Sequence, residues 1–241
     1  MKKILFAWLL ILPVYGWTMS LSDIETNVRR AVRDTSSTES LQTFSDSLID
    51  DYINEGQVDF VNRTHCLQKS TSVTLSASTT YYSLPNDFIS MIHVVFTDAN
   101  DDVTVLEEET RTKMYQTNSK WDQDSGAPTT YFIYQDSDSN PLEFAVWPIP
   151  TSSSTGTVTA YYFNLATDMD SDSDIPFDSY RHLYGYHMAL VYYTAAQLKM
   201  LLGEFNDAAQ YFALYNSVAE IANRRLGEAP NYFPVSTGFD K

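Results

Sequence analysis

With 241 residues, 44% of them hydrophobic and 14% aromatic, the chain has ample material for a packed core, which excludes wholesale disorder. A formal net charge of −16 excludes a clamp on nucleic-acid phosphates, which needs an excess of Lys and Arg. The single cysteine, Cys66, excludes an intrachain disulfide and a metal site built on cysteines.

The first eighteen residues carry two readings. Lys2 and Lys3 before the apolar run Ile4 to Leu12 fit a secretory signal, and the run is too short to span a membrane. Met19 fits a second start, which would make residues 1–18 an over-extended beginning. Ser22, with Glu25 three positions on, has the spacing of a capping box before an amphipathic helix. That helix is expected from Ser22 to Asp34, with Ile24, Val28, Ala31 and Val32 on one face. Arg29, Arg30 and Arg33 near its end complement the helix dipole. A second helix is expected from about Ser45, with Leu48, Ile49, Tyr52, Ile53, Phe60 and Val61 as its buried stripe. Gly56 within it argues against an unbroken helix.

From Ser72 to Asn164 the pattern changes to short alternating runs rich in β-branched and aromatic residues. Strands are expected at 72–75, 81–84, 89–97, 103–106, 131–134, 142–147 and 157–164, with weak helical character between Glu107 and Trp121. Polar turns at short intervals point to an antiparallel sandwich or small barrel. Two helices follow. One is introduced by Pro176 with Asp178 or Ser179 and runs to about Leu202, where Gly203 ends it. The other is capped by Asn206 and runs to Leu226, with Gly227 as its stop.

The fold class is therefore α+β: an antiparallel helix bundle of two N-terminal and two C-terminal helices enclosing an inserted antiparallel β-sandwich or barrel-like module. The corresponding segments are 1–18, a helical core of 19–70 and 175–226, a β module of 71–174, and an extended arm of 227–241. That arm carries Tyr232, Phe233, Pro234 and Phe239 without periodicity, and such a segment suits docking on a partner.

Charge is concentrated in the β module. Between Asp98 and Asp178 there are 16 acids against three bases. This is a solvated surface or one that faces something it must not bind, such as DNA in transit. Asp168, Asp170, Asp172 and Asp174 begin like a calcium loop. Ser173 and Ser179 stand where that loop needs Gly and Glu, so a linker is the better reading. The four histidines have no metal spacing, and His182 and His187 do not share a helix face. No phosphate-binding glycine loop or nucleophile elbow occurs. No catalytic, cofactor or metal residues are assigned, and an enzyme is not expected.

Several elements in fixed order carry a resemblance: Tyr52-Ile-Asn-Glu-Gly56, Tyr82-Ser-Leu-Pro-Asn-Asp-Phe88, Gly126-Ala-Pro-Thr-Thr-Tyr131, Phe144-Ala-Val-Trp-Pro-Ile-Pro150, Ala160-Tyr-Tyr162 and Ile175-Pro-Phe177. From about Ser20 to Arg225 the chain resembles the head-to-tail adaptor (connector, head completion) proteins of tailed bacteriophages, particularly the short-tailed SU10-like group. The resemblance implies a structural virion protein at the head–tail junction, assembled in the host cytoplasm. It implies a ring, usually twelve-fold, under the portal protein, which extends the DNA channel and docks tail or nozzle proteins. Double-stranded DNA would pass without specific binding, and neither a cofactor nor a membrane is involved. On that reading Asp98, Asp101, Asp102, Asp136 and Asp138 face the channel, and Tyr232, Phe233, Pro234 and Phe239 form an arm inserted into the portal. The alternatives are a secreted or periplasmic β-sandwich binding protein, if residues 1–18 are a cleaved signal, and an adaptor that also cleaves peptidoglycan.

Overall fold

The computed structural model describes residues 18–36, 42–117, 119–134 and 142–227. Among these are five α-helices and seven strands. The chain divides into two compact units, residues 1–57 with 167–221, and residues 58–166 with 222–241.

In the first unit, α1 (Leu21–Val32) buries Leu21, Ile24, Val28 and Val32 at helical spacing and packs against α4 (His187–Leu201). The residue that caps α1 is Ser20, not Ser22. The Asp23 backbone N–H donates to Ser20 Oγ (3.3 Å), and the Ser20 N–H donates to the Asp23 carboxylate (3.1 Å). The next two helical N–H groups, of Leu21 and Ser22, donate to the carbonyls of Asp174 and Asp172. The aspartate run thus seats the start of α1, a use that its spacing does not announce. At the other end, Arg29 and the buried Asp34 form an ion pair (2.9 Å). Asp34 also accepts the N–H groups of Thr43 and Phe44, and Arg29 reaches the Phe44 carbonyl and Asp46. This hub fastens the approach to α2 (Asp46–Thr64), where Ser45 Oγ accepts the Leu48 N–H (3.3 Å).

The expected second helix, α2, runs unbroken through Gly56. The glycine answers to packing. A Cβ there would lie 2.8 Å from Cδ1 of Tyr193 on α4. Tyr193 in turn meets the rings of Phe212 and Tyr215 on α5 (Phe205–Gly227). Asn54 makes two hydrogen bonds with the Met169 backbone, and the buried Gln57 bonds the Thr167 carbonyl and the Phe177 N–H.

The third long helix starts later than expected, at His187. Phe177, Asp178 and Ser179 all have positive φ and cannot open a right-handed α-helix; short 3-10 turns occupy 177–186 instead. The turn from α4 to α5 is read correctly. Gly203 has φ +76°, its N–H donates to the Met200 carbonyl, and the Glu204 N–H donates to that of Lys199.

In the second unit, β1 (Gln68–Thr74), β2 (Tyr81–Ser83), β3 (Phe88–Asp98), β4 (Val103–Glu108), β5 (Thr130–Tyr134), β6 (Glu143–Trp147) and β7 (Gly156–Asn164) form one sheet in the order β1-β7-β3-β4-β5-β6-β2. The expected wholly antiparallel pairing is corrected by β4 and β5, which run parallel at Glu107 and Glu108. The residues between them hold α3 (Arg111–Thr117) and a 3-10 turn at Trp121–Gln123, a crossover that brings the chain back in the same direction. The β module is also a single mixed sheet and not a two-sheet sandwich. Leu75 and Tyr82 near its two edges share a core with Val94, Leu106, Phe144 and Val158, so the sheet curls into a nearly closed barrel.

Two motif elements gain a physical reason here. The Asp87 carboxylate accepts from Lys69 (3.0 Å) and from the Tyr162 hydroxyl (3.1 Å), and its carbonyl accepts the Leu165 N–H. Gly126 donates to the Ile149 carbonyl, and its own carbonyl accepts the Ser154 hydroxyl.

Candidate functional site

The acidic turn between β3 and β4 is built by one of its own aspartates. Asp98 Oδ1 accepts the N–H groups of Asn100 (2.8 Å) and Asp102 (2.9 Å), and these bonds hold its carboxyl below the usual range. Asp101, at φ +65°, and Asp102 are exposed. Of the residues singled out in the sequence, the structure brings together Asp98, Asp101 and Asp102. Asp136, Asp138, Tyr232, Phe233, Pro234 and Phe239 lie outside the described residues.

A cleft of about 300 Å³ opens between β4, α3 and the β5–β6 pair. Trp121 and Trp147 line it together with Met114, and Glu107, Glu109 and Lys113 supply its charges. Trp147 donates its indole N–H to the Trp121 carbonyl (2.9 Å). Trp121 is 1% exposed, with Tyr115 and Phe132 edge-on to its ring. Its own indole N–H is buried without a hydrogen-bond partner. Glu109 pairs with Lys113 one helical turn on, whereas Glu107 is exposed and has no ion pair among the described residues.

At the α4–α5 turn, apolar side chains face solvent. Phe205 is 69% exposed and Leu201 56%, with Met200 and Leu202 beside them. An apolar cluster of this kind marks an interaction surface more often than free surface.

Two titrating features carry no sequence signal. Burial, the Asp50 hydrogen bond and the charges of Asp50, Asp46 and Asp172 push the Glu25 carboxyl up to about 8; Asp50 is raised as well, chiefly by burial. His187, fully buried, accepts the Met19 backbone N–H on Nδ1 (3.1 Å), and burial pulls it down to about 4. Its proton therefore sits on Nε2, which has no partner. Helical spacing places His187 on a face but does not distinguish a buried neutral imidazole from a ligand. Among the described residues no cluster of three or more His, Cys, Asp or Glu could hold a metal ion, and no helix is long and apolar enough to cross a membrane.

The model of the family described as SU10 adaptor protein matches residues 19–234, nearly the whole chain. No curated protein matches it. A match over this much of the sequence settles the assignment: this chain belongs to the SU10 adaptor protein family.

Proposed function

We propose that the protein is a structural head-to-tail adaptor that assembles as a ring, usually twelve-fold, beneath the phage portal and extends its DNA channel toward the tail. The observation that carries this reading is the family match over residues 19–234. Two physical features support it. The exposed Met200, Leu201, Leu202 and Phe205 suit a surface that becomes covered on assembly. The net charge of −16 suits a wall past which DNA slides without adhering.

In this reading Asp98, Asp101 and Asp102, with Asp136 and Asp138, rim the channel. The β module meets tail or nozzle proteins, and the helices of neighbouring copies pack side by side. Residues 227–241, through Tyr232, Phe233, Pro234 and Phe239, insert into the portal. The ring works by geometry and electrostatics and carries out no chemical step.

The arm is tested by deleting Glu228–Lys241 and measuring co-sedimentation with the portal protein of the same phage. Binding should be lost while the far-ultraviolet circular dichroism stays unchanged; undiminished binding would refute the assignment of the arm.

A further inference from the structure

We infer that the open edge of β1 binds an extended segment of a different protein, which adds to the sheet as a further strand. The inference rests on the adaptor reading for the place of that protein, the assembled particle. Pairing with β7 fixes which way the main chain of β1 points. Asn164 donates to the Leu67 carbonyl and Leu75 to that of Gly156, so the odd-numbered residues from 67 to 75 exchange hydrogen bonds with β7. The N–H and C=O groups of Gln68, Ser70, Ser72 and Thr74 therefore point the other way, one residue's pair about 7 Å from the next. β1 ends the sheet, and among the described residues no backbone group pairs with these four.

The edge lacks the devices that keep other strands away. It is seven residues long, contains no proline and pairs with β7 without a bulge. Its four outward-pointing residues are uncharged and exposed, and its one charge, Lys69, is tied to Asp87 (3.0 Å). The core is also uncovered on this flank. Lys69, Thr71 and Val73 are only half-buried, whereas their partners on β7, Tyr162, Ala160 and Val158, are at most 3% exposed. A strand laid along β1 supplies the missing donors and acceptors and covers Thr71 and Val73 with its own inward side chains. The opening selects a lone segment over the β1 of a second copy. β2 bounds one end of it, where the Ser76 N–H donates to the Tyr82 hydroxyl (3.1 Å), and a second copy's β1 arrives with its own β7 attached.

The test compares amide hydrogen exchange, resolved to single residues, in the isolated full chain and in purified virions of its phage. The amides of Gln68, Ser70, Ser72 and Thr74 should exchange freely in the isolated chain and at least about tenfold more slowly in the particle. Ser72→Pro removes an outward N–H and leaves the β7 ladder intact, so it should lower particle assembly about tenfold. Ser72→Ala keeps that N–H and should assemble normally. Should Ser72→Pro fail to fold, the exchange comparison on the parent chain still decides. A photo-crosslinker on Ser70→Cys should join the chain to a different protein of the particle. The inference is overturned if the four amides stay fast in the particle, if the crosslink joins two copies of this chain, or if Ser72→Ala is as harmful as Ser72→Pro. A chain missing from the particle overturns the adaptor reading as well, whereas fast exchange in a chain that is present overturns the inference alone.

Discussion

His187 shows how one buried side chain sets the protein's response to pH. The imidazole ordinarily titrates near 6.5 and in this fold near 4, so between these values the unfolded chain takes up a proton that the folded chain refuses. The His187 contribution is complete above 6.5 and is lost as the pH drops toward 4, by up to about 3 kcal/mol. Glu25 acts in the opposite direction. Its raised carboxyl keeps a proton in the fold that the unfolded chain has released, so its contribution is complete at low pH and disappears as the pH rises through about 8. Between 4.5 and 6.5 the two slopes oppose each other, so urea midpoints should stay nearly level there and fall between 6.5 and about 8. His187→Gln should make the fall begin at about 4.5, and Glu25→Gln should remove the alkaline fall. Asp34→Ala removes one of the two carboxylates that pair with Arg29 and the acceptor for two backbone N–H groups, and should cost about 1–3 kcal/mol in the same assay. None of these roles can be read from residue type, because each depends on groups distant in sequence: Met19 for His187, Asp50 for Glu25, and Thr43 and Phe44 for Asp34.

At the scale of elements, periodicity carries much more. The stripe of α1, the strand order along the chain and the stop at Gly203 are all legible, because burial on one face imposes a repeat and a left-handed residue favours glycine. The errors fall where two local signals compete. Ser20 with Asp23 and Ser22 with Glu25 both have cap spacing, and the burial of Leu21, which brings position 21 into the helix, decides for the first. Pro176 and Asp178 look like a helix start, yet the turn they form is left-handed and Asp178 accepts the Thr167 N–H instead. Gly56 looks like a break and is in fact a point of close approach. Gly56→Ala should therefore destabilise by about 1–3 kcal/mol through its clash with Tyr193, although alanine is the better helix former. Gly203→Ala should cost about 1 kcal/mol for a different reason, its positive φ. Thermal melts of the two variants check both values. The parallel β4–β5 pair escaped notice because strand direction is set by the crossover, and the weak helical character of 107–121 does not show that a crossover lies there.

For the whole molecule, the sequence motifs mark the family because they are the positions that make the fold: Asp87 ties Lys69 to Tyr162, and Gly126 holds the Ile149 and Ser154 segments together. The cleft between the tryptophans was not legible, since β4, α3 and β6 meet there only through the crossover that makes β4 and β5 parallel. Assembly is the property on which the account turns. Phe205→Asp should leave the monomer's melting temperature within a few degrees of the parent, since the side chain is exposed, while weakening association at least about tenfold. The most direct measurement is native mass spectrometry of residues 19–241, alone and after mixing with the portal protein of the same phage. A ring adaptor adds to the portal as a complete ring, with twelve copies as the expected number. A chain that stays monomeric and never adds to the portal would contradict it.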